Sequence, residues 1–494
     1  MAGRTGHLSS GGNVTALTPG TGAGGDMGSI AIVGCGAAGT ALIVHLAERQ
    51  WKGIDRILII DPRLPASGIA FDRDEEYLLC NTSVGVNSLI PREPDHLRKW
   101  LMRNPVCTAR WGVPSTGITE HSYLPRGLFL AYLAEYFHSA LAHAQSRGVY
   151  VDHVPASARA IESTISGVDV VTDRGETYPV DEAVVCTGLH PSVQTLRRQK
   201  VAHGRLWGAY ETPRHVAELD RAKRVLVLGM RQSAIDAAQM VHEFNPDAEV
   251  TMASRTGRLP AVRTEMKESP STVITTATVI DRLGPGLPGA VMRWRHLLKE
   301  QLRLHDPLGS LFPTRGTTAS EQLRNDLDHA RSTRPAWQRI DRNAVTVANA
   351  VWPHTPPEQR RELAIWFNRF VLRYVSAIPG SVADRLIASE EQQRLSYVRA
   401  GDALTFDHSS VRLASENGPL TFDVAIDATG LSAEPGNIRS SESRPPDPRI
   451  HRIGPAAVGQ LAIPNYFNAS ARQAASLADD LTRQTISTCI GTMT

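Results

Sequence analysis

Residues 29–40 read S-I-A-I-V-G-C-G-A-A-G-T, an apolar run followed by glycines and the start of a helix-like segment. Gly34, Gly36 and Gly39 have G-x-G-x-x-G spacing. In a strand-to-helix turn, the first glycine permits the tight turn, the second lets the backbone approach a pyrophosphate, and the third allows close helix–strand packing. The free amides of the helix start, with Ala38 among them, would then face phosphate groups. The pattern predicts a dinucleotide-binding turn.

A second apolar run, R-I-L-I-I at residues 56–60, ends at Asp61. This carboxylate lies in the window, roughly 20 residues beyond the glycines, where an acidic side chain binds ribose hydroxyls. The alternative is a strand-to-helix turn that holds no ligand. The acid at the end of the second strand favours the nucleotide.

The composition is that of an ordinary globular chain, with 494 residues, enough for two or three domains. The net charge of +3 comes from 53 basic and 50 acidic residues, so no overall field favours nucleic acid or a membrane. The five cysteines form no C-x-x-C pair, which argues against a zinc site or a vicinal disulfide. We expect residues 1–27 to be a disordered leader and the protein to be soluble and cytoplasmic.

The apolar strand with a Thr-Gly ending occurs twice. Residues 181–188 read D-E-A-V-V-C-T-G and residues 423–430 read D-V-A-I-D-A-T-G. The repeat makes Thr187, Gly188, Thr429 and Gly430 candidate cofactor-binding residues. A repeat of this kind is not expected in a single-domain dehydrogenase.

A second glycine turn opens between these two strands. R-V-L-V-L-G-M-R-Q-S-A-I-D at residues 224–236 places Gly229, Arg231 and Ala234 at the three glycine positions. Alanine is permitted at the third position. Arginine at the second would obstruct a pyrophosphate unless its guanidinium swings out and itself binds phosphate. The turn is therefore either a nucleotide site or a structural remnant.

The strand that follows this turn ends in Ser254 and Arg255, where an NAD-binding unit would place a carboxylate. A guanidinium suits a 2′-phosphate, so NADPH is favoured over NADH. The alternative is an arginine that only faces solvent.

Several sequence blocks, taken in order, resemble the FAD/NAD(P)-binding flavoproteins related to amine N-hydroxylating monooxygenases of the ornithine and lysine type. The blocks are G-I-A-F at 68–71, L-L-C-N-T at 78–82, N-S-L at 87–89, D-H-L-R-K-W-L at 95–101, Y-L-P-R at 123–126, G-x-x-Q-S-A at 229–234 and S-R-x-G-x-x-P at 254–260. The resemblance implies FAD at the first glycine turn and NADPH at the second. Taken singly, any of these polar residues could equally be a turn residue.

The resemblance also implies roles for individual residues. The loop at residues 81–88 would lie near the isoalloxazine, which makes three of its polar residues candidates for catalysis. These residues are Asn81, Asn87 and Ser88. Arg126, which opens a helix, and Gln232 and Ser233 at the second turn would contact cofactors. The C-terminal helix would point its N-terminus at the flavin, with Asn468 or Ser470 as its cap.

The predicted fold is α/β, with two Rossmann-like dinucleotide-binding domains and a helical insertion. The first part of the FAD-binding domain spans 28–190, the NADP(H)-binding domain 191–375, and the return to the FAD-binding domain 376–494. The insertion, at about 281–375, is rich in Arg and Trp. We interpret it as a lid over the active site or a subunit contact, and a homo-oligomer stays open.

These implications predict an FAD-dependent, NADPH-using monooxygenase that N-hydroxylates a primary amine or amino acid with dioxygen, through a C4a-hydroperoxyflavin. An arginine of the insertion could meet the substrate carboxylate. One alternative is a flavin oxidase or NAD(P)H-flavin reductase whose second site has decayed at Arg231. Another is a non-enzymatic FAD-binding redox sensor.

Overall fold

The computed structural model describes the chain from residue 28 to residue 491, with internal gaps. The described ranges are 28–69, 75–202, 204–264, 273–282, 289–304, 318–332, 337–401, 403–407, 409–415, 418–432, 438–440, 447–464 and 466–491. The predicted leader at 1–27 and the end of the G-I-A-F block lie outside these residues.

The first nucleotide-binding sheet has five parallel strands, with the predicted glycine-turn strand at its centre. In sheet order they are Ile450–Arg452, Glu182–Val185, Gly28–Val33, Ile54–Ile60 and Tyr150–Val154. From Ile30 to Val33 the central strand is apolar and buried because both of its faces are covered. Ile30 and Ile32 pack on one side and Ala31 and Val33 on the other.

Helices cover one face of this sheet and a small sheet covers the other. The larger helices are Ala37–Glu48, Arg126–Ser146 and Phe467–Gly491, with His96–Arg103 and Pro105–Arg110 beside them. The small sheet contains Ala158–Ser163, Val168–Thr172, Thr177–Val180 and Arg439–Ser440. Its Ile161 and Val170 pack against Ala31 and Val33, so the parallel sheet is enclosed on both faces.

The second nucleotide-binding sheet repeats this plan. Its parallel strands are Leu395–Arg399, Glu249–Ser254, Arg224–Leu228, Val424–Asp427 and Leu206–Gly208. Its helices are Val193–Val201, Val216–Arg221, Gln232–Phe244 and Gly380–Glu391, and a three-stranded sheet of Leu404–Phe406, Val411–Leu413 and Leu420–Phe422 packs nearby. The two Rossmann-like units of the predicted α/β fold are confirmed.

The predicted return to the first domain at residue 376 is too early. Leu395–Arg399 and Val424–Asp427 are both strands of the second sheet. The chain crosses back at Leu431–Ser432, which pairs antiparallel with the outgoing linker His190–Pro191. The two Thr-Gly strands have the same local pattern, and only their hydrogen-bonded neighbours show which sheet each one joins.

The helical insertion rises from the second domain. Its described helices are Thr276–Arg282, Ala290–Arg303, Ala319–Ser332, Trp337–Val351, Pro357–Phe370 and the π-helical turn Val371–Val375. Aromatic side chains, among them Trp294 and Phe367 in an edge-to-face pair, fill its core. At its base, Val262–Arg263 pairs with Ile378–Pro379.

Some arginines of the insertion attach it to the second domain. Arg324 pairs with Glu390 at 3.3 Å and Glu391 at 2.9 Å, and Arg331 pairs with Asp384 at 2.6 Å. All three acids lie on the helix Gly380–Glu391. These arginines are therefore already paired with protein carboxylates. Among the described helices, none is both long and apolar enough to cross a membrane.

Candidate functional site

The first glycine turn is packed too tightly for side chains. Gly34 has a φ of +87°, and a Cβ there would lie 3.0 Å from the Cα and the amide nitrogen of Thr187. A Cβ on Gly39 would lie 2.6 Å from the Gly34 carbonyl oxygen. At Gly36 the nearest atom would be the Ser67 carbonyl oxygen at 3.1 Å. The three glycines thus have the packing that the dinucleotide turn requires.

Polar groups gather at this turn in a way that fits FAD. The helix Ala37–Glu48 begins without a side-chain cap, so its first amides are available to phosphate oxygens. The buried Asp61 carboxylate accepts a hydrogen bond from the Cys35 amide at 2.8 Å, which sets it beside the turn. The Thr187 hydroxyl is buried and has no hydrogen-bond partner among the described residues. An unpaired buried hydroxyl is costly, and a bound nucleotide would supply its partner.

The C-terminal segment closes over the same turn. Gly454 has a φ of +63°, and a Cβ there would lie 3.1 Å from the Ala38 Cβ and 3.1 Å from the Ser470 hydroxyl. The Gly454 amide donates to the Gln473 side chain at 2.9 Å. The segment that follows the second domain in sequence thus packs against the first helix, Ala37–Glu48.

The three catalytic candidates of the loop at residues 81–88 differ in their hydrogen bonding, and two of them are already bound within the loop. The Asn87 side chain accepts from the Thr82 hydroxyl at 2.7 Å and donates to the Thr82 carbonyl at 3.1 Å. The Ser88 hydroxyl lies 2.7 Å from the carbonyls of both Ile90 and Glu93. Asn87 and Ser88 therefore hold the loop in shape.

Two other polar side chains of this loop have no hydrogen-bond partner among the described residues and could therefore contact a ligand. Asn81 is half-buried, and its side chain makes no hydrogen bond within the described chain. The Ser83 hydroxyl is buried and also lacks a partner among the described residues. Sequence reasoning missed Ser83 because a serine in the polar run N-T-S at residues 81–83 carries no signal of its burial. Asn81 stays the predicted contact to the flavin ring, and Ser83 joins it as a candidate.

The C-terminal helix is not capped as predicted. It begins at Phe467, so Asn468 and Ser470 lie inside its first turn. Asn468 donates to the Val86 carbonyl at 3.4 Å, and Ser470 to the Tyr466 carbonyl at 3.4 Å. The helix starts two residues earlier than a cap at Asn468 requires. Asn468 instead ties the helix to the loop at residues 81–88.

The second glycine turn has the same plan as the first. Gly229 has a φ of +119°, and a Cβ there would overlap the Ala428 carbonyl of the neighbouring Thr-Gly strand. Arg231 has extended backbone, and its guanidinium donates to the Leu372 carbonyl of the insertion. Burial, together with the nearby Arg373, lowers the pKa of Arg231 to about 10. The Arg231 side chain therefore points out of the turn, and it does not obstruct the space where a pyrophosphate would bind.

The residues around this turn have diverse partners. Gln232 donates to the Ser376 carbonyl at 2.8 Å, which anchors the start of its helix to the base of the insertion. Ser233 lies 3.4 Å from the Tyr210 hydroxyl. Thr429 donates to the buried Asp427 carboxylate at 2.7 Å, and Gly430 has a φ of +136°. Both come just after Ala428, whose carbonyl packs against Gly229, and their cofactor contact stays a prediction.

Arg255 lies where the 2′-phosphate of NADPH was predicted. It follows the strand Glu249–Ser254 directly and is exposed. Its guanidinium has no hydrogen-bond or ion-pair partner in the described part of the chain, while its carbonyl accepts from Arg399 at 3.3 Å. The residues present thus fit a phosphorylated ribose, and Arg399 from the neighbouring strand adds a charge that the sequence did not reveal.

Arg126 is not at either glycine turn. It is 6% exposed, and its guanidinium binds Asp236 through two contacts of 2.5 Å and 3.1 Å. Burial alone would lower the pKa of Arg126, but the Asp236 carboxylate reverses the effect and the net shift is upward. The cofactor contact of Arg126 stays a prediction, and the Y-L-P-R block could not reveal that its protein partner is a carboxylate 110 residues away.

Two parallel sheets, each with a glycine turn against a Thr-Gly strand, define a flavoprotein with two dinucleotide-binding units. Residues 31–190 match the family model described as FAD-NAD(P)-binding. Residues 117–271 match the family model of L-lysine 6-monooxygenase/L-ornithine 5-monooxygenase. These matches confirm the resemblance read from the sequence blocks. The chain is a flavin-dependent monooxygenase, with FAD and a nicotinamide nucleotide as cofactors.

Solved structures share the fold across nearly the whole chain. The ornithine hydroxylase of Pseudomonas aeruginosa aligns with a TM-score of 0.55 at 15% identity, covering 93% of this chain and 100% of that one. An ornithine N-hydroxylase of Kutzneria sp. 744 gives 0.54 at 16%, covering 93% and 99%. L-lysine 6-monooxygenase of Pseudomonas syringae gives 0.52 at 14%, covering 92% and 99%. No curated protein matches the sequence.

Proposed function

We propose that this protein uses NADPH and dioxygen to hydroxylate the primary amine of an amino acid or a diamine. The observation that supports this most directly is the match of residues 117–271 to lysine and ornithine monooxygenases, since that segment spans the Y-L-P-R block and the second glycine turn. The turn itself is open for a nucleotide because Arg231 points toward Leu372. This geometry argues against the alternative of a decayed second site.

The chain's own groups have separable tasks. The first glycine turn and Asp61 hold the pyrophosphate and ribose of FAD, and Thr187 donates or accepts at the same place. The turn at Gly229 and the exposed Arg255 hold NADPH and select its 2′-phosphate. When bound, the flavin would supply the group that accepts hydride from NADPH and activates dioxygen. The protein contributes the relative placement of the two nucleotides and a site that excludes water.

The substrate belongs to the class of small amines that carry a primary amino group on an alkyl chain. Ornithine and lysine are substrates in the names of the matched family and of similar structures, and cadaverine is named for a further monooxygenase, from Erwinia amylovora, that aligns with a TM-score of 0.50. Amine attack requires a neutral nitrogen, and the half-buried Asn81 amide can accept a hydrogen bond from it. An amino acid substrate would need a cationic side chain to bind its carboxylate, whereas a diamine would not.

The test is a pair of measurements on the FAD-loaded protein. Anaerobic mixing with NADPH should bleach the flavin absorbance, and aerobic turnover with ornithine, lysine or cadaverine should yield a product heavier by one oxygen. A flavin that NADPH does not reduce would contradict the proposal and favour an oxidase. Reduction and oxygen consumption that yield only peroxide across the panel would favour a reductase. A reducible flavin that consumes no oxygen with any amine would favour the redox sensor.

A further inference from the structure

The buried pair of Arg126 and Asp236 joins the two nucleotide-binding domains. Arg126 opens the helix Arg126–Ser146 of the first domain, and Asp236 lies in the first turns of the helix Gln232–Phe244 of the second. Their side chains are 7% and 4% exposed. A bidentate pair between a guanidinium and a carboxylate restricts both distance and orientation. The pair therefore fixes how the two domains face each other at this point.

On the first domain, Arg126 is tied to the segment that leads into the loop at residues 81–88. Its Nε donates to the Leu79 carbonyl at 3.1 Å, and its amide donates to the Leu78 carbonyl at 2.9 Å. The neighbouring Leu124 carbonyl accepts from the Cys80 amide at 2.8 Å. The position of Arg126 is thus coupled to the loop predicted to face the flavin ring.

On the second domain, Asp236 is tied to the second glycine turn. The Tyr210 hydroxyl donates to Asp236 at 2.9 Å, and Ser233 donates to the Tyr210 hydroxyl at 3.4 Å. Ser233 is the second residue of the helix whose amides face the nucleotide site. One chain of contacts therefore runs from Leu79 through Arg126, Asp236 and Tyr210 to Ser233.

We infer that Arg126, Asp236 and Tyr210 are positioning residues that set the approach of NADPH to the flavin by locking the second glycine turn against the loop at residues 81–88. This inference rests on the proposed function for its kinetic consequence, though the lock itself does not. A buried charge pair contributes little net stability compared with apolar residues of the same size. Its specific contribution is orientation, and misplacement by about 1 Å costs roughly 100-fold in rate.

The test compares variants of the full-length, FAD-loaded protein. Asp236→Asn keeps the size of the side chain and removes the charge. Tyr210→Phe removes the hydroxyl that bonds to Asp236, Ser233 and Arg126. We expect anaerobic flavin reduction by saturating NADPH to slow by about 10- to 100-fold in Asp236→Asn and by less in Tyr210→Phe. The matched control is Asp341→Asn, which removes the acid of another buried pair, with Arg263, that joins the insertion to its base. The control should leave the reduction rate within about twofold.

A double variant separates positioning from folding. Arg126→Met with Asp236→Leu replaces the pair by apolar side chains and should restore the thermal midpoint lost in either single variant. Reduction should stay slow in this double variant. Recovery of the wild-type reduction rate, or an unchanged rate in Asp236→Asn, would overturn the inference.

Hydrogen exchange gives a readout that does not depend on NADPH. In Asp236→Asn, amides of the loop at residues 81–88 and of the first turn of the helix Gln232–Phe244 should exchange faster together, while Asp341→Asn leaves both unchanged. Unchanged exchange at both segments would refute the lock. If the wild-type flavin is not reduced by NADPH, the proposed function fails, and this exchange experiment still decides the inference.

Discussion

Gly39→Ala tests whether the packing of the first glycine turn shapes the FAD site. A Cβ at this position would lie 2.6 Å from the Gly34 carbonyl oxygen and 3.3 Å from the Cγ2 of Ile32. Real Cβ contacts are no shorter than 3.0 Å, so helix and turn must separate by several tenths of an ångström. Gly39 has no positive φ, and the effect therefore comes from contact alone.

The magnitude follows from two opposing terms. Overpacking of this kind costs about 1–3 kcal/mol. Alanine gains up to about 1 kcal/mol over glycine in a helix, less in the first turn where Gly39 lies. Because the clash is with backbone, the upper part of the range applies, and a net loss of about 1–2 kcal/mol is expected. Since 1.4 kcal/mol is a factor of ten, FAD affinity should fall about 5- to 30-fold if the turn absorbs the shift.

The assay is a titration of FAD-free protein with FAD, followed by the quenching of flavin fluorescence. Gly401→Ala is the matched control, because Gly401 is exposed, has no positive φ and would meet nothing within 4 Å. The control should bind FAD as the wild type does. Equal FAD affinity in the two variants would refute the view that the Gly34–Gly39 contact shapes the cradle.

Two further predictions concern charge. Arg255→Ala should raise the KM for NADPH about 10- to 100-fold, as expected for the loss of a charged hydrogen bond, and leave that for NADH nearly unchanged; equal effects on both nucleotides would contradict a 2′-phosphate contact. Burial lowers the pKa of His96 below 6.5, and its Nδ1 lies 2.6 Å from the Tyr132 hydroxyl, which itself accepts from the Leu89 amide. Neutral His96 is therefore the stable form, and its contribution is lost as the pH falls from about 6.5 through the lower folded pKa. The thermal midpoint of the wild type should drop more between pH 7 and pH 5 than that of His96→Gln, and parallel curves would contradict this account.

Local pattern was sufficient wherever one segment contained all of the relevant residues. The glycine spacing at residues 34–39 and the apolar strands on either side predicted the first turn correctly, since strand, turn and helix are contiguous. The position of Arg255 directly after its strand was predicted in the same way, while its contact with a 2′-phosphate stays a prediction. In each case the chain needs no distant partner to adopt the geometry.

Pattern failed where a residue's role depends on what lies opposite it. The strand Val424–Asp427 has the Thr-Gly ending of Glu182–Val185, yet it pairs with Arg224–Leu228 in the second sheet. Asn468 looked like a helix cap and lies within the helix, beside Val86. Register and burial in these places are set by long-range packing, which a local sequence does not encode.

The sequence by itself determined that this protein has two dinucleotide turns, which nucleotide chemistry each favours, and which family it resembles. Those properties depend on backbone freedom at glycines and on charges a few residues away. The tertiary structure alone decided that Arg231 points away from its turn and that Arg126 meets Asp236 across the domains. A guanidinium on a long flexible side chain takes its direction from the acceptor that folding brings to it, and that acceptor lies more than 100 residues away in both cases.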